Sequence, residues 1–218
     1  MKKELFLRII TSIVILPILV ICTFLSGFFI IILLSLVYLI SFYEIVKNSR
    51  NTAFNFYANI ILIISLISFY YLRGNSNDSF ILFCWILCTT FFSDIGGYLF
   101  GKLFKGKKIT KISPNKTYSG SIGSFVLSAL SIPLISNLQD NFFNDTLIDF
   151  YNFKFLLIAL FLSFVCQSGD LFVSYHKRKL NIKNTSNILP GHGGIIDRID
   201  GLIFVLIISA IIKYTGLF

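Results

Sequence analysis

Charge is what this chain has least of: 13% of its 218 residues are Asp, Glu, Lys or Arg, about half the share of a soluble globular domain. Such a shortage excludes an ordinary soluble fold. Proline (4), His (2), Met (1) and Trp (1) are also scarce. The four cysteines, Cys22, Cys84, Cys88 and Cys166, all fall inside apolar blocks and lack the spacing of a metal or redox site, so neither a zinc module nor a disulfide framework is implied. They read as buried packing residues. No internal repeat and no low-complexity linker is visible.

What the chain has instead is apolar sequence, 56% hydrophobic with 25 Phe and a mean hydropathy of +0.82. It comes in long unbroken blocks, and about 20 such residues are what a helix needs to cross ~30 Å of hydrocarbon. Seven runs qualify, over residues 9–25, 28–43, 56–72, 80–100, 121–138, 155–173 and 202–213. The last is short, and a helix beginning near residue 195 would lengthen it. The fold class predicted is all-α, a polytopic helical membrane protein with about seven transmembrane helices in one membrane domain over residues 1–218. Lys2 and Lys3 precede the first run as they would in a signal peptide. That run is long enough to span, contains Pro17 and ends in no cleavage site, so it is read as a retained helix. Gly120, Gly123, Ser124, Ser128 and Ser131 make the fifth run rich in small residues, which lets helices approach closely in lipid.

The 19 Lys and Arg outnumber the 10 Asp and Glu, for a net charge of +9. With the N-terminus inside, only Arg73, Lys154 and Lys213 fall on the outer side. That asymmetry predicts a multi-pass inner-membrane protein with a basic cytoplasmic face. It is a topology signal first and an anion-binding signal second, and it calls for no nucleic-acid partner.

The informative acids interrupt apolar sequence: Asp94 in FFSDIGGYLFG, Asp170 in CQSGDLFVS, and Asp197 and Asp200 in GHGGIIDRIDG. An Asp near the middle of a span costs ~2.5 to 3.5 kcal/mol on insertion scales, which makes each one a candidate functional group. The predicted topology brings all of them to the cytoplasmic side. Asp197 and Asp200, three apart, share one helix face. Clustered carboxylates repel unless a cation sits among them, and Mg2+ is the usual resident of an oxygen site that also holds phosphates. Lys177, Arg178, Lys179 and Lys183 follow the sixth run, and Pro190-Gly191-His192-Gly193-Gly194 then offers backbone N–H groups to an anion ahead of a helix N-terminus. His192 is expected to order this loop or contact phosphate, since a phosphate nucleophile needs no base near neutral pH.

The stretch SYHKRKLNIKNTSNILPGHGGIIDRID, from Ser174 to Asp200, resembles the signature of bacterial phosphatidate cytidylyltransferases (CDP-diglyceride synthases), which runs S-x-x-K-R, then K-D, then P-x-H-G-G-x-x-D-R-x-D. A second tract, SDIGGYLFGKLFKGKKITKISPNKTYSG, is similar to the family's D-I-G-A-Y followed by S-P-x-K-T-x-E-G. The chain departs from the pattern at Asn184 and at Ser119, each of which stands where the family has an acid, and it is shorter than typical members. Residues 1–79 are expected to form N-terminal helices of weak signature and residues 80–218 the catalytic membrane region.

The resemblance implies nucleotidyl transfer. The phosphate of phosphatidic acid, a membrane lipid, attacks the α-phosphorus of CTP and pyrophosphate leaves. Asp170 and Asp197 are expected as metal ligands, with Asp200 and Asp94 completing the metal and nucleotide site. Lys116, Lys177, Arg178, Lys183 and Arg198 are expected to hold the triphosphate and the lipid phosphate, with Gly193 and Gly194 in the substrate loop. A homodimer is left open. Two other readings compete with this one. The D-G-x-x-A-R tract of enzymes that transfer phospho-alcohols from CDP-lipids does not occur. A small ion-coupled transporter would call for mid-membrane acids and inverted repeats.

Overall fold

The computed structural model describes residues 17–110, 113, 116–142, 148–189 and 193–218. Six helices follow in order: α1 (Gly27–Asn48), α2 (Thr52–Arg73), α3 (Asn77–Phe104), α4 (Tyr118–Phe142), α5 (Phe153–Lys179) and α6 (Ile196–Tyr214). Residues 17–25, ahead of α1, are helical as well. No strand occurs among the described residues. Isolated bridges pair Lys108 with Thr117 and Leu189 with Gly193, pinning two loops. Helices are what such a sequence can form in hydrocarbon, where each backbone N–H and C=O must find a partner within its own segment.

The helices α1 to α5 are long and apolar enough to cross a membrane. Their outward surfaces carry Phe28, Leu39, Ile67, Leu130 and Phe164, each at least half exposed, an array that fits contact with lipid and not with water. Helix starts follow ordinary capping rules: Asn51 accepts from Phe54 N, Ser76 from Ser79 N and Asn152 from Lys154 N. α6 begins at Ile196, ahead of the apolar run at 202–213, so Asp197 and Asp200 lie in its first turns. The early start has a cause outside the helix, because the Glu44 carboxylate of α1 accepts from Ile195 N and Ile196 N.

α3 is the central helix, packed most extensively on α4. At their crossing Gly96 meets Gly123, and a Cβ added at Gly96 would collide with Gly123 O and Ser124 N. The small residues of the fifth run therefore do what their size predicts. Hydroxyls add interhelical bonds: Thr89 to Ser131 at 2.8 Å, Ser124 Oγ donating to Ser93 O at 2.7 Å, and Ser93 to Ser163 at 2.8 Å. An aromatic cluster of Trp85, Phe150 and Phe155, all at most 2% exposed, closes the bundle at the end away from Asp94, Asp170, Asp197 and Asp200. Two of the three cations predicted on the outer side cap helix C-termini there. Arg73 Nε donates to Thr23 O at 2.8 Å, and Lys213 Nζ to Leu72 O at 3.2 Å, each cation meeting the negative end of a helix dipole.

Candidate active site

On α5, Asp170, Ser174 and Lys177 recur at helical spacing and share a face. Ser174 Oγ donates to Asp170 Oδ1 at 3.2 Å. Facing them on α6 are Asp197 and Asp200, whose oxygens lie 2.8 and 3.9 Å from Lys177 Nζ. Their three-residue spacing does place both on one face. Lys116, just ahead of α4, reaches across to Asp170 Oδ2 at 2.5 Å and to Gln167 O at 3.3 Å. Asp94 of α3 accepts a hydrogen bond from Cys166 Sγ at 3.4 Å, a contact that the packing role expected of this cysteine does not include. Asp200 is also within electrostatic reach of Asp170 and Asp94. Four carboxylates and two ammonium groups are thus gathered at one end of the bundle from α3, α5, α6 and the approach to α4.

These carboxylates differ in what they can still do. The Asp170 side chain is 32% exposed and that of Asp197 is 9% exposed. Asp197 has its oxygens occupied: Oδ1 accepts from Lys177, and Oδ2 accepts from Thr185 N at 2.8 Å, Thr185 Oγ1 at 3.1 Å and Gly194 N at 3.0 Å. This carboxylate therefore organises the loop before α6. The glycines are needed there because Gly193 has φ +89°, a left-handed backbone that a side chain would strain, and a Cβ on Gly194 would run into Thr185 Oγ1 and the Glu44 carboxylate.

Glu44 was not foreseen. It is fully buried on α1 and accepts from Thr185 Oγ1 at 2.8 Å, Ser186 Oγ at 2.7 Å, Ile195 N at 2.9 Å and Ile196 N at 3.1 Å. Asn48 Nδ2, one turn further along, donates to Thr185 O at 2.6 Å. The N-terminus of α6 and the loop before it are therefore clamped to α1. A signal existed, since Glu44 interrupts apolar sequence in SFYEIV as Asp94 does in its own run. Glu44→Gln is expected to lower kcat by roughly 10- to 100-fold, the usual effect of removing a residue that supports a site from behind. Steady-state rates on variant protein of unchanged helix content check this, and an unchanged kcat would separate Glu44 from the working of the loop.

Other predicted residues lie at the edge of the array or away from it. The exposed Arg178 donates through Nη1 to Ile182 O at 3.0 Å, which closes the chain reversal after α5. Lys183 is exposed, Arg198 is exposed yet within electrostatic reach of Asp94, and His192 lies outside the described residues. Ser119 Oγ accepts from Gly106 N at 3.2 Å and so ties the start of α4 to the preceding loop. Asn184 sits beside Gly193, about 3.5 Å from where a Cβ there would stand. Both positions serve loops and not the carboxylate array, so Ser119→Glu and Asn184→Asp are each expected to change kcat by less than about tenfold. A rise near a thousandfold in initial rate would instead make the missing acids direct participants.

Among the described residues no three His, Cys, Asp or Glu side chains stand close enough to cage a metal ion. The donor set is hard oxygen, with Asp170 partly open to solvent and Asp200 close by. That fits a cation such as Mg2+, which keeps several waters and is held by one or two carboxylates together with substrate phosphates.

The helices and this array define an integral membrane protein whose polar site combines carboxylates, ammonium groups and a glycine loop at one end of a helical bundle. Residues 47–215 match the cytidylyltransferase family, and the chain belongs to that family. It is 36% identical to a phosphatidate cytidylyltransferase of Rickettsia felis over 207 residues, covering 93% of this chain and 89% of that protein. With the enzyme of the same name from Rickettsia conorii it shares 33% over 217 residues, 97% of this chain and 92% of the other. The Helicobacter pylori enzyme of that name is 38% identical over 122 residues, 55% of this chain and 42% of the relative.

Proposed function

We propose that this protein transfers the cytidylyl group of CTP to phosphatidic acid, releasing pyrophosphate and leaving CDP-diacylglycerol in the membrane. The observation that carries the reading is the gathering of Asp170, Asp200, Lys116 and Lys177 beside the Gly193–Gly194 loop, in a membrane chain of the cytidylyltransferase family. A phosphate monoester is already a nucleophile, so the protein has to position two anions and neutralise them. Lys177 and Lys116, each on a carboxylate in this structure, supply positive charge to the lipid phosphate and the triphosphate. Glu44 and Asp197 hold the glycine loop in place, accepting from Ile195 N, Ile196 N and Gly194 N. Asp170 and Asp200 are the residues to hold Mg2+, with Asp94 beside them and Asp197 giving what its loop bonds leave. When bound, the ion supplies neutralisation of the phosphate oxygens and of the charge that builds on the departing pyrophosphate.

We assign the site to the cytoplasmic face of the inner membrane, where soluble CTP and a membrane lipid meet without crossing. The lysine and arginine asymmetry supports that orientation. Single cysteines placed at Lys107 and Lys179 should react with impermeant reagent only once cells are opened. Reaction in sealed cells would reverse the orientation. The transporter reading lacks comparable support, because the acids lie together at one end of the bundle.

The activity test is direct. Purified protein in liposomes with phosphatidic acid and labelled CTP should yield labelled CDP-diacylglycerol and equimolar pyrophosphate. Absence of lipid product with Mg2+ present would refute the activity.

A further inference from the structure

The face of α5 that carries Asp170, Ser174 and Lys177 continues inward through Gln167 and Ser163, whose spacing of three and four residues keeps them on one stripe of the helix. The carboxamide of Gln167 is engaged at both ends. Ser121 Oγ, in the first turn of α4, donates to Gln167 Oε1 at 2.5 Å, and Gln167 Nε2 donates to Ser163 Oγ at 3.3 Å. Ser163 in turn shares a 2.8 Å hydrogen bond with Ser93 of α3. Three helices are thereby joined one turn inward of Asp170. Lys116 lies against this chain of bonds. An ammonium group has three N–H donors; here one goes to Asp170 and one to Gln167 O at 3.3 Å, and the third meets no acceptor among the described residues. The backbone on either side is fixed as well, since Ile109 N donates to Lys116 O at 2.9 Å and Thr117 Oγ1 accepts from Gly120 N at 3.1 Å where α4 opens. A lysine stem is flexible, so the direction of its remaining N–H depends on where α4 starts relative to α5.

We propose that Gln167 is a positioning residue for Lys116. Its carbonyl takes one N–H of the ammonium group and its carboxamide holds the first turn of α4, so that the third N–H is left for a substrate phosphate. The inference rests on the activity proposed above and adds a residue to its machinery. A carboxamide suits the place because it accepts from one hydroxyl while donating to another and brings no charge. A carboxylate there would compete with Asp170 for Lys116. An apolar side chain would leave the Ser121 hydroxyl without its acceptor and α4 without its tie to α5.

Two measurements test it. In the first, Gln167→Leu, which keeps the bulk of the side chain and the backbone carbonyl, should lower kcat/KM in liposomes by about tenfold or more with helix content unchanged. Ser121→Ala should act in the same direction, and the double variant should be no slower than Gln167→Leu alone, because both changes remove one hydrogen bond. In a Lys116→Gln background, Gln167→Leu should cost less than about twofold. Losses that multiply in either cycle would overturn the assignment, since a residue that only stabilised the bundle would act whether or not Lys116 is present. The second measurement needs no turnover: hydrogen exchange at the Gly120 and Ser121 amides should quicken in Gln167→Leu, and protection equal to that of the native protein would also overturn the proposal. Quickened exchange in a protein that makes no CDP-diacylglycerol would refute the activity and leave the tie between α4 and α5 standing. Product formation with rates and exchange untouched by Gln167→Leu would do the reverse.

Discussion

Asp170→Asn is expected to lower kcat/KM by at least about a thousandfold, roughly 4 kcal/mol of transition-state stabilisation, with the protein still folded and inserted. Asp170 is the most open of the ion-paired acids, its side chain 32% exposed, and among the described residues it contacts Lys116 and Ser174. Removing its charge therefore leaves few groups stranded, and the fold has little reason to notice. The amide is a much poorer ligand for a hard divalent cation, so the loss should fall on catalysis. Initial rates as a function of Mg2+, paired with thermal unfolding in detergent, separate the two effects. A variant that keeps more than about a tenth of the rate, or a native enzyme that stays active after chelation of divalent cations, would remove Asp170 from metal binding.

Asp197→Asn is expected to cost roughly 100- to 1,000-fold in rate and, unlike the change at Asp170, about 1 to 3 kcal/mol in stability as well. Here the carboxylate is nearly enclosed and accepts from Lys177, Thr185 and Gly194. The amide keeps one acceptor and turns an NH2 toward groups that are themselves donors. Lys177 loses its close partner and retains Asp200 only at 3.9 Å. The loop between Thr185 and Gly194 should loosen, raising KM for CTP together with the fall in kcat. Hydrogen exchange at the Thr185 and Gly194 amides gives an independent readout. If both amides stayed as protected as in the native protein while activity vanished, Asp197 would act on the substrate directly and not through the loop.

The contrast between these two aspartates could not be read from their surroundings in the chain, where Asp170 stands alone in apolar sequence and Asp197 is followed by Asp200 three residues on. The sequence did separate acids from lipid: a charge that tolerates a membrane must have a use, and that rule selected Asp94, Asp170, Asp197 and Asp200. Applied to SFYEIV, the same rule would have selected Glu44. No recognisable motif surrounds it, and it lies before residues 47–215, which match the family. Lys116, Lys177, Arg178, Lys183 and Arg198 form one basic group in the sequence, and only their placement divides them, Arg198 lying within electrostatic reach of Asp94. Lys116 and Lys177 reach carboxylates, while Arg178 turns back to Ile182 O.

By itself the sequence determined that the chain lives in a membrane as a helical bundle, because the length of an apolar run and the thickness of hydrocarbon leave a backbone no other way to satisfy its hydrogen bonds. It also carried the chemistry of the site in short tracts whose residue types and spacing are local. Tertiary structure alone decided which of those residues meet. Glu44 accepts from Thr185 and Ile196, 141 and 152 positions away, and that pairing starts α6 earlier than its apolar run. The crevice of about 310 Å³ between α2 and α5 forms where each helix packs on α6 and the two hardly meet. Neither has a sequence period, since contacts between distant segments follow from how helices cross, and crossings are set by side-chain packing spread over the whole bundle.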